Sequence, residues 1–516
     1  MKRPKSAKPT RTPVPKSRAI PLLLGASFVI PLGILLVLMG ADVRLGQGYF
    51  AYRYSPVRAA RTTRALPAVV IGAAAAGGVM LLCRRERKYR IGGFAALSLA
   101  LVNAGVWIWF APPAYANQQM FNMTSPSSDG AFVLEAKDIS ALPAYLRSFP
   151  QRLKRTPAEM GGTRVLSNPP LTTVFAYAVR GDAYTAIDRP PEGLEQWLMT
   201  THGVPPDQAR EIAYALRVSI VLCTLWMLSG VAAYMLGRVF LSSAGAAVFA
   251  ILVTFNPCTL HFVPGKDPGQ LLSINLMLWA WFLAWRRRSP LLAALGGAIL
   301  TVGATVGLIH IWVAMIAVIA TAWDAWRTRA GVTMILVNAF AAGVGALAVI
   351  AAAYFVLDWN IPTTLAAVSA RWTEIQKTFD MNRAIWFAIG LPIFLLFLAP
   401  GFWTLGGLTL RRPPWRRMNF GTRLTTCTIA VMLLIYVVMG VTYELPRLWV
   451  AFLPTLLLGL AIDRPLLRAT PHAVHRRVAQ ALALIVIVHV VFTTMHWTLF
   501  DARESEYRLS TGKYYH

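Results

Sequence analysis

Residues 290–323 read PLLAALGGAILTVGATVGLIHIWVAMIAVIATAW, without an acid, a lysine or an arginine. A helix rises 1.5 Å per residue, so a bilayer core of about 30 Å takes about 20 residues. The stretch is too long for one crossing and too apolar for a soluble surface. It divides at Gly303–Gly307 into two spans, Pro290–Thr305 and Val306–Trp323, and carries a single ionisable group, His310.

The rest of the chain has the same texture. Of 516 residues, 56% are hydrophobic and 14% are charged, with a mean hydropathy of +0.53. Soluble domains carry about 25% charged residues. The apolar runs are continuous, as in membrane helices, and do not alternate as the strands of a membrane barrel do. The expected fold is an all-α polytopic membrane protein of about thirteen spans. Besides the two halves of the opening run, these are Ala19–Gly40, Leu66–Cys83, Ile91–Ala111, Tyr214–Leu236, Ala244–Pro257 and Gly269–Trp285. Val332–Leu357, Ile385–Leu410, Leu424–Val441, Leu448–Ile462 and Val478–Leu499 complete the set. No internal repeat suggests the inverted halves of many transporters.

A net charge of +28 raises nucleic-acid binding as a possibility. The lysines and arginines, however, fall in the connectors between apolar runs, as cytoplasmic loops require. No nucleic-acid partner is expected. Cys83, Cys223, Cys258 and Cys427 are scattered, with no metal-ligand spacing. Arg84–Arg90, Arg286–Arg288, Arg327–Arg329, Arg411–Arg423 and Arg464–Arg477 all fall on the cytoplasmic side when the N-terminus is inside. Ala41–Ala65 does not fit: it holds five arginines, yet the count puts it outside. The expected organisation is a basic tail (1–18), a two-span extension (19–90), a core (91–462) and a C-terminal part (463–516). In that part a cytoplasmic connector precedes the last span and an outer tail.

One long polar island, Pro112–Ala213, interrupts the apolar runs, and it lies on the extracytoplasmic side. Ala131–Ser148 reads as a helix, and Glu192–Leu198 and Pro206–Ala215 as short helices. Gly161-Gly162 and the proline pairs mark loops. The connector Asp358–Ala384, with Trp359 and Trp372, reads as a further interfacial helix. Acids are few, 22 in all, so their positions inform. Asp129 precedes Gly130, where backbone can approach a ligand; equally, its carboxylate suits an N-cap for the helix that follows. Glu135 comes soon after. The outer loop His261–Pro268 holds Lys266 and Asp267, either a solvated interfacial pair or part of a site. Two carboxylates on one face can hold a divalent cation or orient an acceptor hydroxyl. Arg447, before a late span, suits phosphate through its planar fork, or snorkels from a helix end. His310 is a lone intramembrane histidine, a ligand group or a partner for a neighbouring helix.

Asp129 in the first large outer loop, Asn168-Pro169-Pro170-Leu171 further on, Pro257 with Asp267 in the next outer loop, and Arg447 with Pro454 occur in a set order and sidedness. Together this pattern resembles the GT-C class of membrane glycosyltransferases. Within it, the chain is most similar to bacterial lipopolysaccharide and lipid-A sugar transferases, and distantly to protein O-mannosyltransferases. The resemblance covers roughly residues 91–462. It departs in two respects: where the family often has two adjacent acids, this chain has Asp129-Gly130, and its first two spans precede the usual core as an N-terminal addition.

The resemblance implies sugar transfer from a polyprenyl-phosphate donor to a lipid, glycan or protein acceptor at the outer face of a bacterial inner membrane. Asp129 is the implied general base and Asp267 its acidic partner. Lys266, His310, Arg447 and Asn168 are the implied substrate-binding groups. A divalent cation is a possible cofactor, with Asp129, Glu135 and Asp267 as its candidate ligands. Two other readings stand beside this one. A transporter or flippase of an anionic lipid would use the same basic groups as a binding track. A scaffold would use the outer loop to bind a partner.

Overall fold

The computed structural model describes residues 19–40, 44–45, 52–54, 66–109, 129–156, 159, 164–185, 191–328, 331–378, 383–410, 419–442, 445–468 and 476–501. Among the described residues the regular structure is helical apart from three strands of two or three residues. Eight described helices are long and apolar enough to cross a membrane, or nine if one bent pair counts as a span. The chain is a helical membrane protein.

Helix α1 (Ala19–Gly40) leads into strands β1 (Arg44–Leu45) and β2 (Tyr52–Tyr54). Helices α2 (Leu66–Leu82) and α3 (Arg87–Trp109) then pack against each other. The island holds α4 (Gly130–Lys137), α5 (Leu142–Arg152), α6 (Leu171–Thr185) and α7 (Leu194–His202). Where one helix over Ala131–Ser148 is expected, there are two. Pro143 sits in the first turn of α5, and Ala141 before it is extended (φ −138°, ψ 119°), so the chain turns between them. Helix α6 was not anticipated.

Helix α8 (Pro206–Arg238) runs for 33 residues and merges the expected short helix with the span after it. Next come α9 (Ser243–Thr254), the short α10 (Pro257–Leu260) and α11 (Lys266–Gly269), and α12 (Leu271–Arg287). The opening stretch breaks where its glycines fall, into α13 (Pro290–Ala304) and α14 (Ile309–Thr328). Helices α2, α9 and α13 are apolar but short; the 12 residues of α9 reach only about 18 Å.

Helix α15 (Val332–Leu357) is followed by α16 (Ile361–Thr378), a helix in the connector where an interfacial one is expected. The expected single span Ile385–Leu410 is instead two helices, α17 (Arg383–Phe397) and α18 (Pro400–Leu410), bent by 95°. Pro400 explains the elbow, since the residue before a proline is steered away from helical geometry. The last elements are α19 (Phe420–Leu433), α20 (Leu445–Leu448), α21 (Leu453–Ile462), α22 (Pro465–Arg468), α23 (Arg476–Leu499) and β3 (Phe500–Asp501).

Burial separates centre from rim. In the span Leu445–Ile462 94% of residues are buried, whereas of the 26 residues of α15 only Ile335, Asn338, Gly345 and Ala353 are. Phe340 and Phe355 on α15 are 76% and 82% exposed, a surface that only lipid or another apolar body can cover. The two ends of the bundle also differ. At one end Trp107 of α3 meets Trp497 of α23 edge-on at 4.7 Å. Strand β2 pairs with both β1 and β3 antiparallel, Arg53 facing Asp501. At the other end Arg423 bonds Asp324, Thr422 donates to Asp463 (2.8 Å), and Arg464 donates to the Leu408 carbonyl (2.7 Å). A smaller apolar cluster joins α4, α5 and α16 through Phe132, Leu146, Phe149, Trp359 and Val368.

Candidate functional site

The site is built on the segment between α9 and α12. Asn256 caps α10 by accepting from Cys258 N–H (3.0 Å), and Thr259 donates to the Val253 carbonyl (3.1 Å). His261 is pinned to His496 of α23, ring nitrogen to ring nitrogen, at 2.8 Å. The chain then reaches Gly265, which is extended. A Cβ there would lie 2.4 Å from the Phe262 carbonyl and 2.8 Å from Asp129 Oδ2. Glycine is required for that approach. It lets Lys266 N–H donate to Asp129 Oδ2 at 2.6 Å.

Asp129 stands at the N-cap position of α4, but its side chain makes no cap bond. Its other oxygen accepts from Arg164. Arg164 also lies 3.6 Å from Asp267. Asp267 is met by Arg447 at 3.3 Å, by the Lys266 ammonium at 3.5 Å and by Gln270 Nε2 at 3.2 Å. Asn168 accepts from the Lys266 ammonium and donates to the Arg164 carbonyl (2.7 Å), linking two cations. Among the described residues two carboxylates and three cations thus share one buried cluster, with a net charge of +1; each is under 9% exposed. Such burial is not that of solvated interfacial pairs or a snorkelling arginine.

Burial alone would push the Asp267 carboxyl up. The cations of Lys266, Arg164 and Arg447 outweigh it and hold the group well below the usual carboxylate range. Burial lowers Lys266 from the ordinary lysine value, while Asp267 pulls it back up.

Beside the cluster lies a cavity of about 400 Å³ between α6, α8, α12 and α13. Its wall is apolar, with Phe175, Leu222, Leu276, Ile299 and Val302. The exceptions are Thr172, Lys266, Gln270 and Ser273. The volume suits a small molecule or part of a lipid chain.

Of the expected residues, Asp129, Asn168, Lys266, Asp267 and Arg447 come together. His310 lies just behind: its Nδ1 faces the Gly307 carbonyl and its Nε2 faces Ser273 Oγ, both at 2.8 Å. The carbonyl can only accept, so Nδ1 carries the proton and Nε2 accepts from Ser273. Glu135 is not among the residues brought together: its carboxylate pairs with Arg152 (Nε at 2.7 Å) within the island. Among the described residues no three His, Cys, Asp or Glu side chains gather as metal ligands.

Sequence reasoning missed Arg164 and Gln270. Arg164 follows several other basic residues of the island, and nothing local marks it out. Gln270 sits one turn from Asp267, a spacing that could have found it. The loop residues Ser127-Ser128, Gly161-Gly162 and Tyr443-Glu444 lie outside the described residues. No protein-family model matches the chain, and no curated protein matches it either.

Proposed function

We propose that the chain is an integral membrane glycosyltransferase. It moves a sugar from a polyprenyl-phosphate donor to an envelope lipid, glycan or protein acceptor at the extracytoplasmic face. The supporting observation is the buried cluster of Asp129, Asp267, Arg164, Lys266 and Arg447 beside an apolar cavity. Positive groups next to apolar volume suit an anionic amphiphile. On this reading the site faces outward, the arginine-rich helix ends face the cytoplasm, and the short apolar helices bring the spans to about thirteen.

In the reaction, Asp129 takes the proton of the acceptor hydroxyl. The acceptor oxygen forms its bond to the anomeric carbon as the bond to the phosphate oxygen breaks. The electron pair leaves on the phosphate, and configuration inverts. Arg164, Lys266 and Arg447 offset the charge that develops there. Asp267 holds these cations in place.

The test is transfer from polyprenyl-phosphate-linked sugars in membranes containing the full chain. Asp129→Asn should lower transfer by about 100-fold or more, with the protein still folded. Full activity in that variant would sink the base assignment. One observation favours a carrier of lipid-linked sugars: both Asp129 oxygens are already engaged, by Arg164 and by Lys266 N–H. A carrier would move the donor across the membrane with its sugar–phosphate bond intact.

A further inference from the structure

Gln270 is 5% exposed and its amide is half used. The Nε2 group donates to Asp267, while Oε1 is buried without a hydrogen-bond partner. Rotating the amide would aim its oxygen at the Asp267 carboxylate, so the orientation is set by charge. Oε1 and the Lys266 ammonium lie 2.8 Å and 3.5 Å from the point where a Cβ on Gly307 would stand. The absence of a side chain at Gly307 lets both atoms pack this close to its backbone. Both side chains line the cavity, and so does Thr172, whose buried hydroxyl also has no partner. An acceptor left bare in such a wall calls for a donor on the ligand.

We propose that Gln270 is a specificity residue that reads a hydroxyl of the ligand next to its anionic group. The ammonium of Lys266 takes an anionic oxygen, and Gln270 Oε1 takes an O–H carried on the neighbouring carbon. Both residues line one cavity, so a ligand with the anion alone leaves the amide oxygen bare. A sugar whose phosphate-bearing carbon adjoins a hydroxyl-bearing carbon has the required pattern. This inference rests on the anion-binding reading of the site.

The test uses the full chain in detergent and three probes: citronellyl phosphate, glucose linked through citronellyl phosphate, and its 2-deoxyglucose counterpart. Binding is followed by calorimetry. The wild type should bind the glucose probe about tenfold more tightly than the 2-deoxy probe. Gln270→Met should erase that preference while citronellyl phosphate still binds. Gly307→Ala would put a methyl 2.8 Å from Oε1 and push the amide aside, and should erase the preference too. Equal binding of both sugar probes by the wild type overturns the inference and leaves the anion site standing. A preference that survives both substitutions removes Gln270 from the role. If the wild type binds no probe, the anion site itself fails, and this inference with it.

Discussion

Replacing Asp267 by asparagine keeps the shape of the side chain and removes its charge. Among the described residues three cations then face a single carboxylate, Asp129. The lost attractions act over 3.3 Å to Arg447, 3.5 Å to Lys266 and 3.6 Å to Arg164. At an effective dielectric constant of about 20, each is worth about 5 kcal/mol before the cost of burying the carboxylate is subtracted. The burial cost of several kcal/mol per ion cancels most of this, and removing one partner of a buried pair leaves a net loss of about 3–5 kcal/mol. Asp267→Asn should therefore unfold at a markedly lower temperature in detergent. Because the substitution makes the site one charge more positive, citronellyl phosphate should restore more stability to the variant than it adds to the wild type. An unchanged melting temperature, with no extra response to the phosphate, would refute the view that Asp267 holds the three cations together.

Gly265→Ala should displace the loop, since its methyl would collide with the Phe262 carbonyl and with Asp129. Loss of the charged hydrogen bond from Lys266 N–H costs about 1.5–3 kcal/mol, seen as a lower melting temperature and weaker phosphate binding. The response to pH has two parts. Asp267 is depressed when folded, so its contribution is present above the unfolded carboxylate value. It is lost only as pH falls through the depressed folded value, and stability should hold through mild acid. Lys266 is lowered from 10.5, so it sheds its proton at a lower pH than a free lysine. Affinity for citronellyl phosphate should fall as pH rises towards the alkaline range, and Lys266→Met should flatten that profile.

The fold class was legible because hydrophobic runs of helical length leave few alternatives. Gly303–Gly307 marked the break between α13 and α14. The elbow before Pro400 and the turn before Pro143 were less visible, since a proline is tolerated in a first turn as readily as it ends a helix. In the site, Asp129, Lys266 and Asp267 could be singled out as rare charges in loops of one sidedness. Their meeting depends on contacts distant in the chain: Asp129 to Lys266, Arg164 to Asp129, Arg447 to Asp267. Local spacing does not encode such contacts. Arg164 looked like any solvated island arginine until tertiary packing buried it.

The edge-on meeting of Trp107 and Trp497, with the pairing of β2 to both β1 and β3, also limits how the chain can be threaded. Helices α3 and α23 finish at the same end of the bundle, so the crossings made after α3, up to and including α23, are even in number. Arg53 beside Asp501 sets the same rule for all crossings between Tyr54 and Phe500. With α1 as one further crossing, the expected total is odd, however the short apolar helices are counted. Ala19 and Asp501 are therefore expected on opposite faces of the membrane. Single cysteines placed at those two ends should be labelled by an impermeant reagent from opposite sides.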